Sequence, residues 1–375
     1  MELTFLQILW FILIAVLWIG YLTLEGFGFG VGMLIPIVSK NDRERRLALG
    51  TIGPHWDGNE VFLLTAGGAT FAAFPAWYAT MFSGMYTALV LILLLLIIRI
   101  CALEWRGKIN TAKWRNTWDT LHTTVAWLAT LVWGVAFGNL VQGMAIEVGH
   151  YENGVFKAAD PNAVDAALKA GDNHFLTGGF FSLFTPFTVF SGLVFLAIFA
   201  THGALYMAIK TRGEFSVRNM ELAKKLTLVT VAGAAIWGLW ANFAYSANAL
   251  SIIPLLVAAL AFIAAAFFAQ QNKDVAAFFA SFTAIAFAVV FVFLTFGANA
   301  LKSYVNEKYN LTLVQASATS PTQTIMTIAA VIFVPIVLGY TFWAYKSFAA
   351  RMAVENVPEK PAGLGPQVRA FETAK

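Results

Sequence analysis

Six ionisable residues carry the chemistry this chain can do: Glu25, Asp57, Glu60, Arg99, Glu104 and Asp119. Each lies within or beside a long apolar run, where a charged side chain costs about 3 kcal/mol or more. Carboxylates persist at that cost where protons or ions must pass, because burial and like-charge neighbours let an acid load and release a proton near neutral pH. Asp57 and Glu60 are three residues apart and share a helical face. Glu25 has no capping role and lies deepest, which makes it the candidate inner station of a proton-uptake route that Asp57, Glu60 and Glu104 would serve. A structural reading stays open for each residue alone: Asp119 as an anion in the first turn of a helix, Arg99 snorkelling or paired with Asp119, and Asp57 as a cap. As a set, so many acids near one membrane face exceed what capping requires.

The elements that position these residues follow from composition. The chain has 375 residues, of which 59% are hydrophobic and only 12% charged. Soluble domains carry about 25% charged residues, so this is an all-α integral membrane protein. Its 34 Phe and 12 Trp suit lipid-facing packing and interfacial belts. One cysteine, Cys101, excludes an internal disulfide or a multi-thiolate cluster. About 20 apolar residues cross the hydrocarbon as a helix. Nine such spans are read near 6–37, 57–76, 79–103, 119–142, 184–209, 226–246, 249–270, 275–298 and 323–346. The first holds the glycine-rich stretch EGFGFGVGM (25–33), which should allow bending or close helix approach. The N-terminus lacks a basic region and a small-residue cleavage site, so it is read as a retained span rather than a leader.

The loops fix an expected orientation. Segments 38–56, 104–118, 210–225, the turn near 272 and the C-terminal end hold 19 of the 24 basic residues. Lys157, Lys169, Lys302 and Lys308 lie opposite, and Arg99 is inside a span. The positive-inside rule then places the N-terminus outside and the C-terminus in the cytoplasm, as an odd span count requires. A single polytopic domain is expected over 1–348. Its only sizeable extracytoplasmic loop is 143–183, where DPNAVDAALKAG (160–171) reads as a short helix capped by Asp160, opened by Pro161 and stopped by Gly171. The tail 349–375 should be a poorly ordered cytoplasmic end.

On this topology Glu25 lies some 20 residues along the first span, roughly 30 Å of helix rise and past the midplane toward the cytoplasm. Asp57 and Glu60 open the second span, Arg99 and Glu104 close the third, and Asp119 opens the fourth, so these groups can meet at similar depth. The five histidines, His55, His122, His150, His174 and His202, are too scattered for a complete haem site. His202 reads as a hydrogen-bonded helix residue. No nucleotide loop, catalytic triad or metal-spaced set occurs, and GFGFGVG lies inside a span without the strand that a dinucleotide site needs.

The motifs EGFGFGVGML (25–34), NDRERR (41–46), IGPHWDGNEVFLLTAGGATFAAFPAWYATMFSGMY (52–86), EWRGKI (104–109), KWRNTWD (113–119) and WGVAFGNLVQG (133–143) resemble subunit II of the cytochrome bd-type quinol oxidases, including the cyanide-insensitive members. LFTPF (183–187) and TLVQASATSPTQTIMT (312–327) continue the likeness across nearly the whole chain. The resemblance implies a nine-helix subunit paired with a subunit I of homologous fold, in a bacterial or archaeal cytoplasmic membrane. That partner would carry the b-type haems, the d-type haem and the quinol-oxidising loop. The complex would oxidise quinol and reduce dioxygen to water, drawing protons from the cytoplasm. This chain would stabilise its partner, aid proton delivery and in some members hold a structural quinone, with small accessory subunits attached. The resemblance also makes Asp57 the proton-path carboxylate and Arg99–Asp119 a buried pair. It places Asp where this chain has Gly28, so Glu25, one turn earlier, is expected to take over part of that charge. The carboxylates alone would also suit an independent proton-coupled transporter, although the paired broken helices common there have no counterpart in the second half.

Overall fold

The computed structural model describes residues 3–364. It is a bundle of long helices with a small sheet at one end. α1 (Phe5–Val38) is a continuous helix of 34 residues, opened by a capping box between Thr4 and Gln7. Its length is about 51 Å, so it projects beyond a hydrocarbon core of about 30 Å. The glycine run does not interrupt it. α2 (Asp42–Ile52) follows Asn41, whose side chain caps Glu44. α3 (Trp56–Ala73) runs back along α1.

The expected third span is divided. Pro75 ends α3 and opens α4 (Pro75–Gly84), after which α5 (Tyr86–Trp105) begins. A proline cannot donate to the preceding turn, which explains the break between α3 and α4; the division of the expected span 79–103 itself falls at Met85, between α4 and α5. α6 (Ala112–Gln142) starts seven residues before the expected 119, because Thr111 caps it by accepting from Trp114 N at 3.3 Å. Asp119 is therefore in the third turn, and the helix-dipole reading of that residue is corrected.

The 143–183 segment holds more than the expected helix. β1 (Ile146–Glu152) pairs antiparallel with β2 (Val155–Ala158) and, on its other edge, with a strand after the helix. Asp160 accepts from Asn162 N at 2.7 Å, Pro161 opens a 3-10 turn, and α7 (Val164–Lys169) continues it. Gly171 then reverses the chain at φ +107°, a conformation glycine adopts freely. β3 (Asn173–Leu176) completes the three-stranded sheet, with Ile146 opposite Leu176.

The remaining long helices are α8 (Pro186–Lys210), α9 (Glu214–Tyr245), α10 (Ile252–Gln270) and α11 (Asp274–Thr295). A hairpin of β4 (Asn299–Leu301) and β5 (Leu311–Thr312) leads through α12 (Leu313–Ala316) to α13 (Ser320–Ser347). α1 lies at the centre, against α3, α6, α8 and α11. Gly30 of α1 and Gly203 of α8 face each other so closely that a Cβ on either would overlap the other backbone. Close approach is what the glycine stretch provides here.

Among the described residues, eight helices are long and apolar enough to cross a membrane: α1, α5, α6, α8, α9, the 249–270 helix that includes α10, α11 and α13. α3 is not among them, since Asp57, Asn59, Glu60 and its glycines lower its apolar character. None of the most apolar stretch of α13 is buried within the chain. Residues 349–364 were expected to be poorly ordered but form a strap across the basic end. Arg43 Nε donates to Val357 O at 2.6 Å, Arg212 N to Met352 O at 3.0 Å, and Asn110 N to Leu364 O at 3.0 Å. Residues 365–375 of the expected tail lie outside the described residues.

Candidate functional site

Arg99 is the largest fully buried side chain of the bundle. It reaches from α5 to α1 and α3, where its guanidinium pairs with Glu25 and, at 2.7 Å, with Glu60 Oε1. Glu25 is wholly buried and Glu60 nearly so. Phe29, one turn after Glu25, lies under the guanidinium with its ring centre 4.6 Å from Cζ. A buried arginine suits this place because its fork can serve two carboxylates at once. Beside it, Asn59 Nδ2 donates to Leu24 O at 3.0 Å and Tyr345 OH donates to Asn59 Oδ1 at 2.8 Å, tying α3 to α1 and α13.

Gly28 sits under this cluster. A Cβ there would come within 2.5 Å of Glu25 Oε1 and 3.0 Å of Arg99 Nη2. The Glu25 carboxylate therefore occupies the space that a side chain at 28 would take.

Asp119 is elsewhere. It pairs with Arg106, through Nε and through Nη2 at 3.0 Å, and with Arg45 Nη1 at 3.2 Å. The expected Arg99–Asp119 pair is not what the structure holds. Arg106 follows α5 by one residue and stands about two helical turns beyond Arg99, level with the third turn of α6. Asp42 joins the network, accepting from Arg106 at 2.8 Å, Arg46 at 3.1 Å and Arg115 at 3.2 Å. Partial burial would raise the Asp42 carboxyl, but the guanidiniums of Arg106, Arg115 and Arg46 outweigh it and hold it below the usual range. Burial opposes the charge of Arg106, and the Asp119 and Asp42 carboxylates reverse that, so its guanidinium is held more firmly charged.

The expected carboxylates thus divide into three groups. Glu25 and Glu60 share the buried Arg99. Asp119 belongs to an ion-pair network at the basic end. Asp57 and Glu104 are exposed in the isolated chain and form no ion pair among the described residues. Asp57 and Glu60 are near one another on α3, but the packing of α3 on α1 buries only Glu60. Sequence reasoning missed Arg106 and Asp42, although both stand in the motifs EWRGKI and NDRERR.

His202 is a satisfied helix residue: its Nδ1 meets Ser281 Oγ at 2.5 Å and its Nε2 meets Thr23 O at 3.0 Å. His122 is also buried, yet neither of its ring nitrogens has a hydrogen-bond partner among the described residues. A separate cavity of about 270 Å³ opens among α8, α9, α10 and α11 and is lined by apolar and aromatic side chains, among them Phe199, Trp237, Phe262 and Phe291. No His, Met or Cys lines it, so it does not fit a haem that needs an axial ligand from this chain. No group of three or more metal-ligating side chains occurs among the described residues.

Residues 6–348 match the protein family described as cytochrome bd terminal oxidase subunit II. The chain is 33% identical to the cytochrome bd-I ubiquinol oxidase subunit 2 of Escherichia coli K12, with 96% of this chain and 98% of that one covered. It is 34% identical to the cytochrome bd ubiquinol oxidase subunit 2 of Bacillus subtilis 168, covering 92% and 96%. Its fold is similar to that of a chain in the bd oxidase from Geobacillus thermodenitrificans, with a TM-score of 0.71 over 92% of this chain and 99% of that chain, at 14% identity.

Proposed function

Because this chain belongs to the cytochrome bd terminal oxidase subunit II family and is therefore a membrane-embedded component of a respiratory oxidoreductase complex, we propose that it feeds protons from the cytoplasm to chemistry performed on its partner subunit. In this reading the complex oxidises a quinol and reduces dioxygen to water. The b-type and d-type haems reside in subunit I, where they supply the oxygen reduction. This chain stabilises that subunit, small accessory subunits attach at the rim, and α3 counts as a ninth span, so that the basic end faces the cytoplasm.

The observation that carries the proposal is the charge balance at Arg99. One guanidinium faces two buried carboxylates, Glu25 and Glu60. Two carboxylates sharing one cation away from water are balanced when they also share a proton. Such a group can load and unload one proton without leaving net charge in the membrane interior. Asp57, exposed on the same helix as Glu60, is the group from which that proton would arrive, and Glu104 lies in the last turn of α5. Glu25 supplies the charge that the resemblance expects at position 28.

The apolar cavity suits the isoprenoid tail of a structural quinone, because nothing in its lining demands a polar partner. Trp237, its one polar-tipped wall, already donates from Nε1 to Ser191 Oγ at 2.6 Å. The test is Asp57→Asn in the assembled oxidase. Quinol-driven oxygen consumption should fall severalfold at unchanged haem content. Turnover equal to the native complex would leave this chain a scaffold.

A further inference from the structure

We propose that His122 holds a hydrogen-bonded water link between the Asp119–Arg106 network and the Glu25–Arg99–Glu60 cluster, giving that cluster a second proton inlet along α6. The inference rests on the reading of that cluster as a proton-loading group. It adds a route that does not pass Asp57.

His122 is only 2% exposed, and both of its ring nitrogens lack a hydrogen-bond partner among the described residues. Buried polar groups are satisfied in the great majority of cases, by protein or by ordered water. His202, equally buried, differs in that both of its nitrogens find protein partners, whereas His122 has neither satisfied among the described residues.

The position is what makes the unpartnered ring informative. His122 is three residues after Asp119 on α6 and so lies one turn deeper on the same face. On α1, Gly32 makes room for it: a Cβ there would stand 2.8 Å from Nε2 and 2.9 Å from the Ala126 methyl. Gly28, one turn earlier on the same face of α1, makes room for the Glu25 carboxylate and Arg99. Measured along α1, the imidazole and the cluster are thus one turn apart, about 6 Å of backbone, a step for one or two ordered waters. Along α6 the ring stands three residues from Asp119.

The groups that face it agree. On the cluster side, Glu25 Oε2 and Arg99 Nε are buried and also lack protein partners. Buried polar atoms left open on the ring and on the cluster are the groups that ordered water satisfies. The glycine stretch therefore has two working faces: Gly26 and Gly30 admit α8, while Gly28 and Gly32 admit the cluster and the imidazole.

The test uses the complete oxidase. His122→Phe keeps the ring volume and removes both nitrogens, whereas His122→Gln keeps a group able to hold water. Measured in the Asp57→Asn background, where the other inlet is closed, turnover should fall about tenfold further in the first and stay within about twofold of the Asp57→Asn level in the second, both at native haem content. A high-resolution map of the native complex should show an ordered water within about 3.2 Å of a ring nitrogen. No further loss when His122→Phe is added to Asp57→Asn, or a His122→Gln variant as slow as His122→Phe in that background, overturns the proposal. If His122→Phe fails to assemble, the map and His122→Gln decide, and a dry ring overturns it. Glu25→Gln, measured in parallel, separates the two levels: if it slows turnover while His122→Phe does not, only the inlet fails. If neither does, the reading of the cluster fails too.

Discussion

Placing an aspartate at position 28 tests whether Glu25 has taken over the charge at Arg99. A Cβ at 28 meets Glu25 Oε1 at 2.5 Å and Arg99 Nη2 at 3.0 Å, so Gly28→Asp adds a third carboxylate to a site with one cation. Two carboxylates about 4 Å apart repel by about 4 kcal/mol at the effective dielectric of a protein. Arg99 relieves part of this, leaving a penalty of about 2–4 kcal/mol, or roughly 30-fold or more in the population of the assembled state. Combining Gly28→Asp with Glu25→Gln returns the charge count to its native value and should recover most of the loss. The assay is the yield of haem-loaded complex, read from its reduced-minus-oxidised spectrum, together with oxygen consumption. The reasoning is refuted if Gly28→Asp alone assembles as well as the native chain, or if adding Glu25→Gln worsens it.

Other perturbations follow from the same geometry. Arg99→Met leaves two buried carboxylates without their cation and should destabilise the complex by about 3–5 kcal/mol, with partial recovery when Glu25→Gln is added; thermal inactivation of the purified oxidase reads both. Lys302 is buried at the sheet end, donating to Tyr245 O at 2.6 Å and Thr295 O at 3.3 Å, and burial lowers its ammonium from the ordinary 10.5 to about 8. The unfolded chain then binds more protons between about pH 8 and 10.5, so folded stability should rise across that window by up to about 3 kcal/mol. Lys302→Met should lack that rise, and a rise of equal size in the variant would contradict the assignment. Asp42 has the opposite sign. Its carboxyl is held below the usual range, so its contribution is complete above about pH 4 and is lost as pH falls through the folded value. Asp42→Asn should therefore remove part of the acid sensitivity of the native chain.

Much of this architecture was legible in the sequence because span length and charged loops are strong signals. The short helix at 160–171 was also readable, since Asp160, Pro161 and Gly171 act locally. What escaped depended on packing or on a single cap. Thr111 moved the start of α6 back by seven residues, which carried Asp119 away from Arg99 and into the reach of Arg106. Helical spacing put Asp57 and Glu60 on one face, but the approach of α3 to α1 decided that only Glu60 is buried. The clustering of Glu25 with Arg99 was anticipated through the missing carboxylate at 28, while the role of Glu60 as second partner was not. The sheet at 146–176 did carry one local signal, since Asn153 and Gly154, both at positive φ, form the two-residue turn that joins β1 to β2, whereas β3 pairs with β1 across the intervening helix and has no such mark. The strap at 349–364 looked disordered by composition, yet its backbone is held by arginines and loops that precede it by as many as 314 residues.

The most direct test of proton delivery through this chain is uptake by the oxidase reconstituted in one orientation in liposomes, with a pH indicator on each side of the membrane. The account predicts that protons consumed during a single turnover disappear from the side facing residue 57, and that Glu25→Gln slows their disappearance while leaving the haems in place. Uptake from the opposite side, or an unchanged rate in Glu25→Gln, would contradict it.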